Sequence, residues 1–549
     1  MALLAARLCL APVESMQRTR CWRMFSLLLL TLNSSPADAS FDFEAYVKSF
    51  DMTFGDRLGD PVALSEDTLA VGITGEGSCA NGVSTTPATD NFCPSSGAAY
   101  VYTRSGTTWA FEAYVKAPSV SNSDLFGDSL ALSGDTLVVG ASGEDSCSWG
   151  VSTTAATDNS CPGAGAAYVY TRSGTTWTFE AYVKAPSTSA GDRFGESAAL
   201  SGDTLVVGAG GEDSCATGVS TTAATDNSCG EAGAVYVYTR SGTTWALEAY
   251  VKVPAVTIGS TYAHAVALSG DILSVGAYGE DSCASGVSTV VATDRSCFDA
   301  GAAYVYTRSG TTWTFEAYVK APSTTPGDLF GHSVALSGDT LAVGGFREDS
   351  CATGASATAA TDDGCANSGA AYVYTRSGTT WTLEAYVKAP SVTTGEFGFV
   401  VALVGDTLAI GDLREDGCAT GVSTPPSLDS SCTDSGAAYV YTRSGTTWAF
   451  AYYVKAPTLT AGDNFGCSVA LSGYTLAVGA RGEDSCATGV STTAASDDLC
   501  TDAGAAYVYA HPPPPSQPPP SPPSPPSPPS PPSLPPLPPS TPPPSPWLL

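Results

Sequence analysis

Fourteen cysteines carry the plainest chemistry in the chain. They form seven Cys-x13-Cys pairs, Cys79/Cys93, Cys147/Cys161, Cys215/Cys229, Cys283/Cys297, Cys351/Cys365, Cys418/Cys432 and Cys486/Cys500, recurring every 67 or 68 residues. Each repeat holds its own even pair, so a local disulfide is expected in each, in an oxidising compartment. Closing a loop of about 15 residues contributes roughly 3 kcal/mol on the chain-entropy view. Carboxylates surround each pair. Glu144, Asp145 and Asp158 recur as Glu212, Asp213 and Asp226, as Glu280, Asp281 and Asp294, and as Glu348, Asp349 and Asp362. The set returns as Glu415, Asp416 and Asp429 and as Glu483, Asp484 and Asp497, and thins to Glu76 and Asp90 in the first loop. Three carboxylates drawn together by a disulfide, with carbonyls and water, are hard oxygen ligands of the kind Ca2+ takes. The competing use of the same acids is to cap turns.

Other candidates are sparser. One position near the start of each repeat reads Asp60, Asp128, Glu196, His264, His332, Phe399 and Cys467 in turn. Three acids, two histidines and a cysteine are ligand types, but transition-metal binding requires them to converge. Cys467 is the unpaired thiol of the chain after residue 39, to be buried or crosslinked. Trp109, Trp177, Trp245, Trp313, Trp381 and Trp448 recur at one place, which favours packing within sheets over ligand stacking. The Arg of Thr-Arg-Ser-Gly and the Lys of Tyr-Val-Lys are expected on a hairpin at outer edges, where charge discourages edge pairing. No Ser/His/Asp set, phosphate loop or pair of catalytic carboxylates stands at a meaningful spacing, and an enzyme is not expected.

A fixed period with one short-range pair per unit means one supersecondary unit per repeat. In the third copy, four strands are predicted: 197–201, 204–208, 234–239 and 245–252. Alternating β-branched and aromatic residues between Gly and Asp turns make antiparallel hairpins. No window shows sustained helical periodicity. The fourth strand, Phe-Glu-Ala-Tyr-Val-Lys, first occurs alone at 43–48, and the last repeat stops at Tyr509 without one. The N-terminal strand is therefore expected to complete the last blade of an all-β, seven-bladed propeller of four-stranded antiparallel blades, removing exposed edges. The predicted propeller spans 40–510, with repeats near 54–117, 122–185, 190–253, 258–321, 326–389, 394–456 and 461–510 plus 41–49.

Phe-Gly-x-Ser at 194–197, Val-Gly-Ala at 207–209 and Gly-Ala-x-Tyr-Val-Tyr at 233–238 resemble FG-GAP repeats, as in the β-propeller of integrin α subunits. The resemblance covers roughly 41–510 and implies fold far more than function. It places the Cys loops on the upper face, which integrins use for ligand. The sequence also departs from the family. Calcium-binding FG-GAP repeats join the first two strands by an Asp-rich loop, whereas here a turn such as Ser201-Gly-Asp-Thr204 offers one carboxylate. Integrin-type calcium sites are thus expected to be absent, leaving Ca2+ at the stapled loops as the cofactor possibility. Repeat four has Tyr262-Ala263 for Phe-Gly, which strains Ala263 if that position needs positive φ.

The net charge is −30, from 53 acidic against 23 basic residues, so nucleic acid is a poor partner. Arg18, Arg20 and Arg23, the apolar run 24–32 and Ala37-Asp-Ala39 read as a secretory signal over 1–39, with Met16 a plausible start, and no segment is suited to span a membrane. Residues 511–549 form a proline-rich tail, with 23 Pro among the last 38 residues, expected to be an extended polyproline rod without a fixed fold. Its Ser-Pro-Pro repeats resemble hydroxyproline-rich cell-wall glycoproteins, which implies hydroxylation, O-glycosylation and anchorage in an extracellular matrix. The expected function is a secreted, cell-surface or cell-wall binding or adhesion module, with an extracellular protein or glycan as ligand. A structural matrix component without a specific ligand is the alternative, and a propeller hydrolase or lyase the most distant reading.

Overall fold

In Ala234–Ser241 the tyrosines and valines alternate on the two faces of one strand, and all four are buried. A strand apolar on both faces needs cover on both faces. The chain supplies it by stacking seven such sheets around an axis. A computed structural model describes residues 41–511 apart from 52, 393, 394, 427 and 428. Every regular element among these residues is a strand. The expected signal segment and proline-rich tail lie outside them.

Each blade is an antiparallel sheet. In the third blade the order from the axis outward is Phe194–Ser201, Thr204–Ala209, Ala234–Ser241, Thr244–Val251 and Val219–Ser220. The fifth strand is a correction to the expected four. Val219 and Ser220 leave the Cys loop and pair with Val251 and Tyr250 at the outer edge. Two residues in a Gly/Ser/Thr loop are too few for a periodic signal, and the one mark they leave is a valine that recurs there in six of the seven loops. The last blade closes as predicted: Asp42–Val47 lies between Ala505–Ala510 and Val490–Ser491, with Val47 opposite Ala506.

The core lies between blades. Ala131, Val138, Val169 and Val183 of one blade meet Phe194, Leu205, Val207 and Tyr236 of the next. Two polar links repeat around the ring. The first joins a tyrosine of each blade to the carbonyl of the preceding blade's lysine, as Tyr238 OH donates to Lys184 O at 2.9 Å. The second arises from a bulge. Val237 faces Ala249 and Tyr238 faces Leu247, so Glu248 is extruded from the ladder. Its carboxylate accepts from Trp313 Nε1 of the next blade at 2.8 Å and from Arg308 at 3.4 Å, while Arg308 lies over the Trp313 ring. Glu44, Glu112, Glu180, Glu316 and Glu384 likewise accept from the tryptophan of the next blade. In blade six Ala451 stands where the others hold Glu. There Phe41 meets Tyr452 edge-on at 5.4 Å instead.

The lysines are not edge charges. Lys48, Lys116, Lys184, Lys252, Lys320, Lys388 and Lys455 are buried, each paired with a glutamate. Tyr46, Tyr114, Tyr182, Tyr250 and Tyr386, each two residues before its lysine and so on the same strand face, donate to the same glutamate, a partner that lies on a different segment and is not marked by strand periodicity.

Candidate functional site

Successive strands of a blade alternate in direction. The Cys loops and the segments that lead into the next inner strand therefore share one end of the ring, and the Ser-Gly turns share the other. In each Cys loop the two cysteines are bonded, with Cα atoms 5.0 Å apart for Cys147 and Cys161. The same pairing holds Cys79–Cys93, Cys215–Cys229, Cys283–Cys297, Cys351–Cys365, Cys418–Cys432 and Cys486–Cys500.

The three carboxylates of each loop are directed to three different partners. Glu144 is buried, accepting from Lys184 Nζ and Tyr182 OH at 2.7 Å each. Asp145 accepts from the Gly163 amide at 2.8 Å. Asp158 bridges the Cys147 amide at 3.0 Å and the Ser146 hydroxyl at 2.7 Å. The pattern repeats with Glu212 on Lys252, Asp213 on the Glu231 amide and Asp226 on the Cys215 amide. It repeats again with Glu280 on Lys320, Asp281 on the Asp299 amide and Asp294 on the Cys283 amide, and with Glu348 on Lys388, Asp349 on the Asn367 amide and Asp362 on the Cys351 amide. Among the described residues no group of three or more His, Cys, Asp or Glu converges as a metal site. The capping role is visible in the electrostatics. The Cys147 amide holds Asp158 below the usual carboxylate range, and the matching amides do so for Asp90, Asp362 and Asp497. Burial lowers the lysine pKa values against the pull of each glutamate.

The seven unlike residues share one cavity, but no three of them group as metal ligands. Asp60, Asp128, Glu196, His264, His332, Phe399 and Cys467 line a cavity of about 660 Å³ where the inner strands begin, at the Cys-loop end of the axis. His264 Nδ1 lies 2.9 Å from Glu196 Oε1, and Glu196 Oε2 is buried without a hydrogen-bond partner. Asp60 pairs with Arg481 at 3.0 Å. His332 Nδ1 donates to the Phe399 carbonyl at 3.0 Å, and its ring packs on Phe346 and Phe399. Burial and the neighbouring His264 push His332 down to about 3. Burial, with Glu196 and Asp60 nearby, raises Asp128 to about 6 against the Ser142 hydroxyl that it accepts from. Cys467 is buried, and burial pushes its thiol up to about 12.

The loop end carries a further feature. Phe92, Trp149, Val290 and Leu499 stand on Cys loops at 74 to 83 % exposure. Sister repeats place Ser228, Thr217, Thr222 and Ser228 again at the matching positions. Phe54, also exposed, sits in the segment leading into blade one, where the Gly55 amide bonds Thr501 O, two residues beyond Leu499. Comparing repeats position by position would have found these residues, because each departs from an otherwise uniform polar pattern. The recurring tryptophans, by contrast, are 2 to 4 % exposed.

A family model described as FG-GAP repeat matches residues 109–170, 177–238, 313–374 and 455–509. The chain carries FG-GAP repeats. Each of the first three matches starts at the tryptophan of one blade's fourth strand and ends on the third strand of the next blade. The matched FG-GAP unit therefore straddles an interface, and includes the Glu–Trp clamp's tryptophan, the Phe-Gly corner and the stapled loop. The closed seven-bladed ring is the arrangement that the likeness to integrin α propellers implies. No curated protein matches the chain.

Proposed function

We propose that the protein is a secreted or cell-surface binding module of the adhesion type, which presents disulfide-stapled loops on one face of an FG-GAP propeller. The observation that supports this is where the repeats differ. Buried lysines, glutamates, tyrosines and tryptophans are copied almost unchanged from blade to blade, as packing demands. The exposed apolar residues Phe92, Trp149, Val290 and Leu499 and the unlike axial residues all fall at the Cys-loop end. Solvent-exposed aromatic groups on a rigid frame suit contact with a partner. Seven disulfides fit an extracellular setting. A protein or glycan of the extracellular matrix is the partner class, and the proline-rich segment supports association with a wall or matrix.

The test is binding of the purified full chain to immobilised extracellular polysaccharides and matrix proteins. Saturable binding to one class is expected. Absence of saturable binding to any would favour the second reading, a structural matrix component, which the proline-rich composition also supports.

A further inference from the structure

Trp149 differs from every other described tryptophan: it is 75 % exposed, and the six recurring ones are buried. Its place is held by Asn81, Thr217, Ser285, Thr353, Thr420 and Thr488 in the other repeats, so the loop folds without an indole there. The backbone beneath it is fixed on both sides. The Gly150 amide donates to Ala185 O at 3.3 Å, and the Lys184 amide donates to Gly150 O at 2.9 Å. Thr188 Oγ1 donates to Ser148 O at 2.9 Å, and the Ser148 amide donates to Ser146 Oγ at 2.9 Å. The Cys147–Cys161 bond closes the loop. The indole thus stands on a preorganised base and loses little freedom on binding.

A concave space of about 420 Å³ adjoins it, lined by Trp149, Gly150, Ser152, Thr154, Ala155 and Asp158, among others. We infer that this space is a saccharide subsite, in which a pyranose unit of a neutral glycan stacks on Trp149 and its hydroxyls meet Ser152 and Thr154. The inference rests on the binding-module reading and narrows its partner class. A sugar ring offers a C–H face to an aromatic plane and hydroxyls around its rim, which is the mixture this pocket complements. An apolar peptide side chain would find one indole and a few small groups, with hydroxyls elsewhere. The Ser152 and Thr154 hydroxyls are 3.2 Å apart and share one hydrogen, so each keeps bonding capacity for a ligand. Both Asp158 oxygens already accept hydrogen bonds, and their charge, with a net −30 on the chain, selects against uronic and sulfated sugars.

The experiment is calorimetric titration of the full chain with neutral hexasaccharides of gluco, manno, xylo and galacto configuration, and with a galacturonic acid hexamer. The variant is Trp149→Thr, which installs the residue four sister repeats carry and so preserves the loop, with circular dichroism as the check. At least one neutral hexasaccharide is expected to bind saturably, to lose tenfold or more in affinity in Trp149→Thr, and to alter the wild-type minus variant indole fluorescence. The acidic hexamer is expected not to bind. No binding of any neutral hexasaccharide at millimolar concentration, or affinity within twofold in the variant, would overturn the inference. A matrix ligand that binds wild type and Trp149→Thr alike would leave the binding-module reading standing while removing the saccharide subsite.

Discussion

Ala263 shows how a single residue records the constraint on its position. It takes φ of +78° where Gly127, Gly195 and Gly331 take +99°, +95° and +89°. An L-residue held there costs about 1–2 kcal/mol. Ala263→Gly is expected to raise stability by about 1 kcal/mol in denaturant unfolding, since the left-handed strain disappears. The reverse change at Gly195 is worse than strain, because a Cβ there would lie 2.2 Å from Ala166 O. The sequence made this strain legible, since one repeat broke the Phe-Gly pattern. It did not make the buried lysines legible, because a lysine after Tyr-Val resembles a strand end until Glu144 is seen opposite Lys184. Removing one partner of such a pair leaves an uncompensated buried charge. Lys184→Met is therefore expected to cost about 3–5 kcal/mol, measured by thermal or denaturant unfolding. A carboxylate swap was equally hidden. Gly395 replaces the buried aspartate found two residues before the phenylalanine in most blades, and Asp412 on the neighbouring strand accepts from the Glu396 amide in its stead.

Among the elements, hairpins and turns were legible because alternation and Gly-Asp signals are local. The outer two-residue strands were not, since their pairing depends on the Cys loop folding back over Tyr250 and Val251. The loop acids were legible as a cluster in sequence, but their roles were not. Strand direction sends Glu144 inward to Lys184, and the disulfide brings Asp158 to the Cys147 amide. These loops are held by a staple and a few backbone bonds, with little apolar anchoring. Replacing Cys147 and Cys161 together with serine is expected to cost about 3 kcal/mol on the loop-entropy estimate. It should also increase hydrogen exchange at Val151 and Ser152 ahead of the four longer strands of the blade.

At the scale of the whole molecule, closure by residues 42–47 was legible by counting strands, because one fourth strand stood alone before any first strand. Deleting 41–49 is expected to open the ring, expose the edge of Ala505–Ala510 and cause self-association detectable by light scattering. The buried carboxylates set the pH response. Burial raises Asp56, Asp328 and Asp463 to about 6 and Asp124 and Asp192 to about 7, above an unfolded value of about 3.9. At these five carboxylates the folded state binds more protons than the unfolded state between these values, which outweighs the single opposing imidazole of His332, lowered to about 3, so stability rises as pH falls from about 7 towards 4. Below that, the capping aspartates Asp90, Asp158, Asp362 and Asp497, whose pKa values are lowered, take up protons and their contribution is lost. Thermal unfolding across pH should therefore peak in the mildly acidic range. The central claim, that the Cys-loop end is the binding face, is tested by exchanging face residues for those of sister repeats. Phe92→Ser, Trp149→Thr, Val290→Thr and Leu499→Ser together restore the uniform loop, while Tyr474→Asp does the same for a turn at the opposite end. Affinity for a ligand found on the matrix array should fall tenfold or more in the fourfold loop variant and stay unchanged in Tyr474→Asp. Equal affinity in the loop variant and wild type, or loss confined to Tyr474→Asp, would contradict the account.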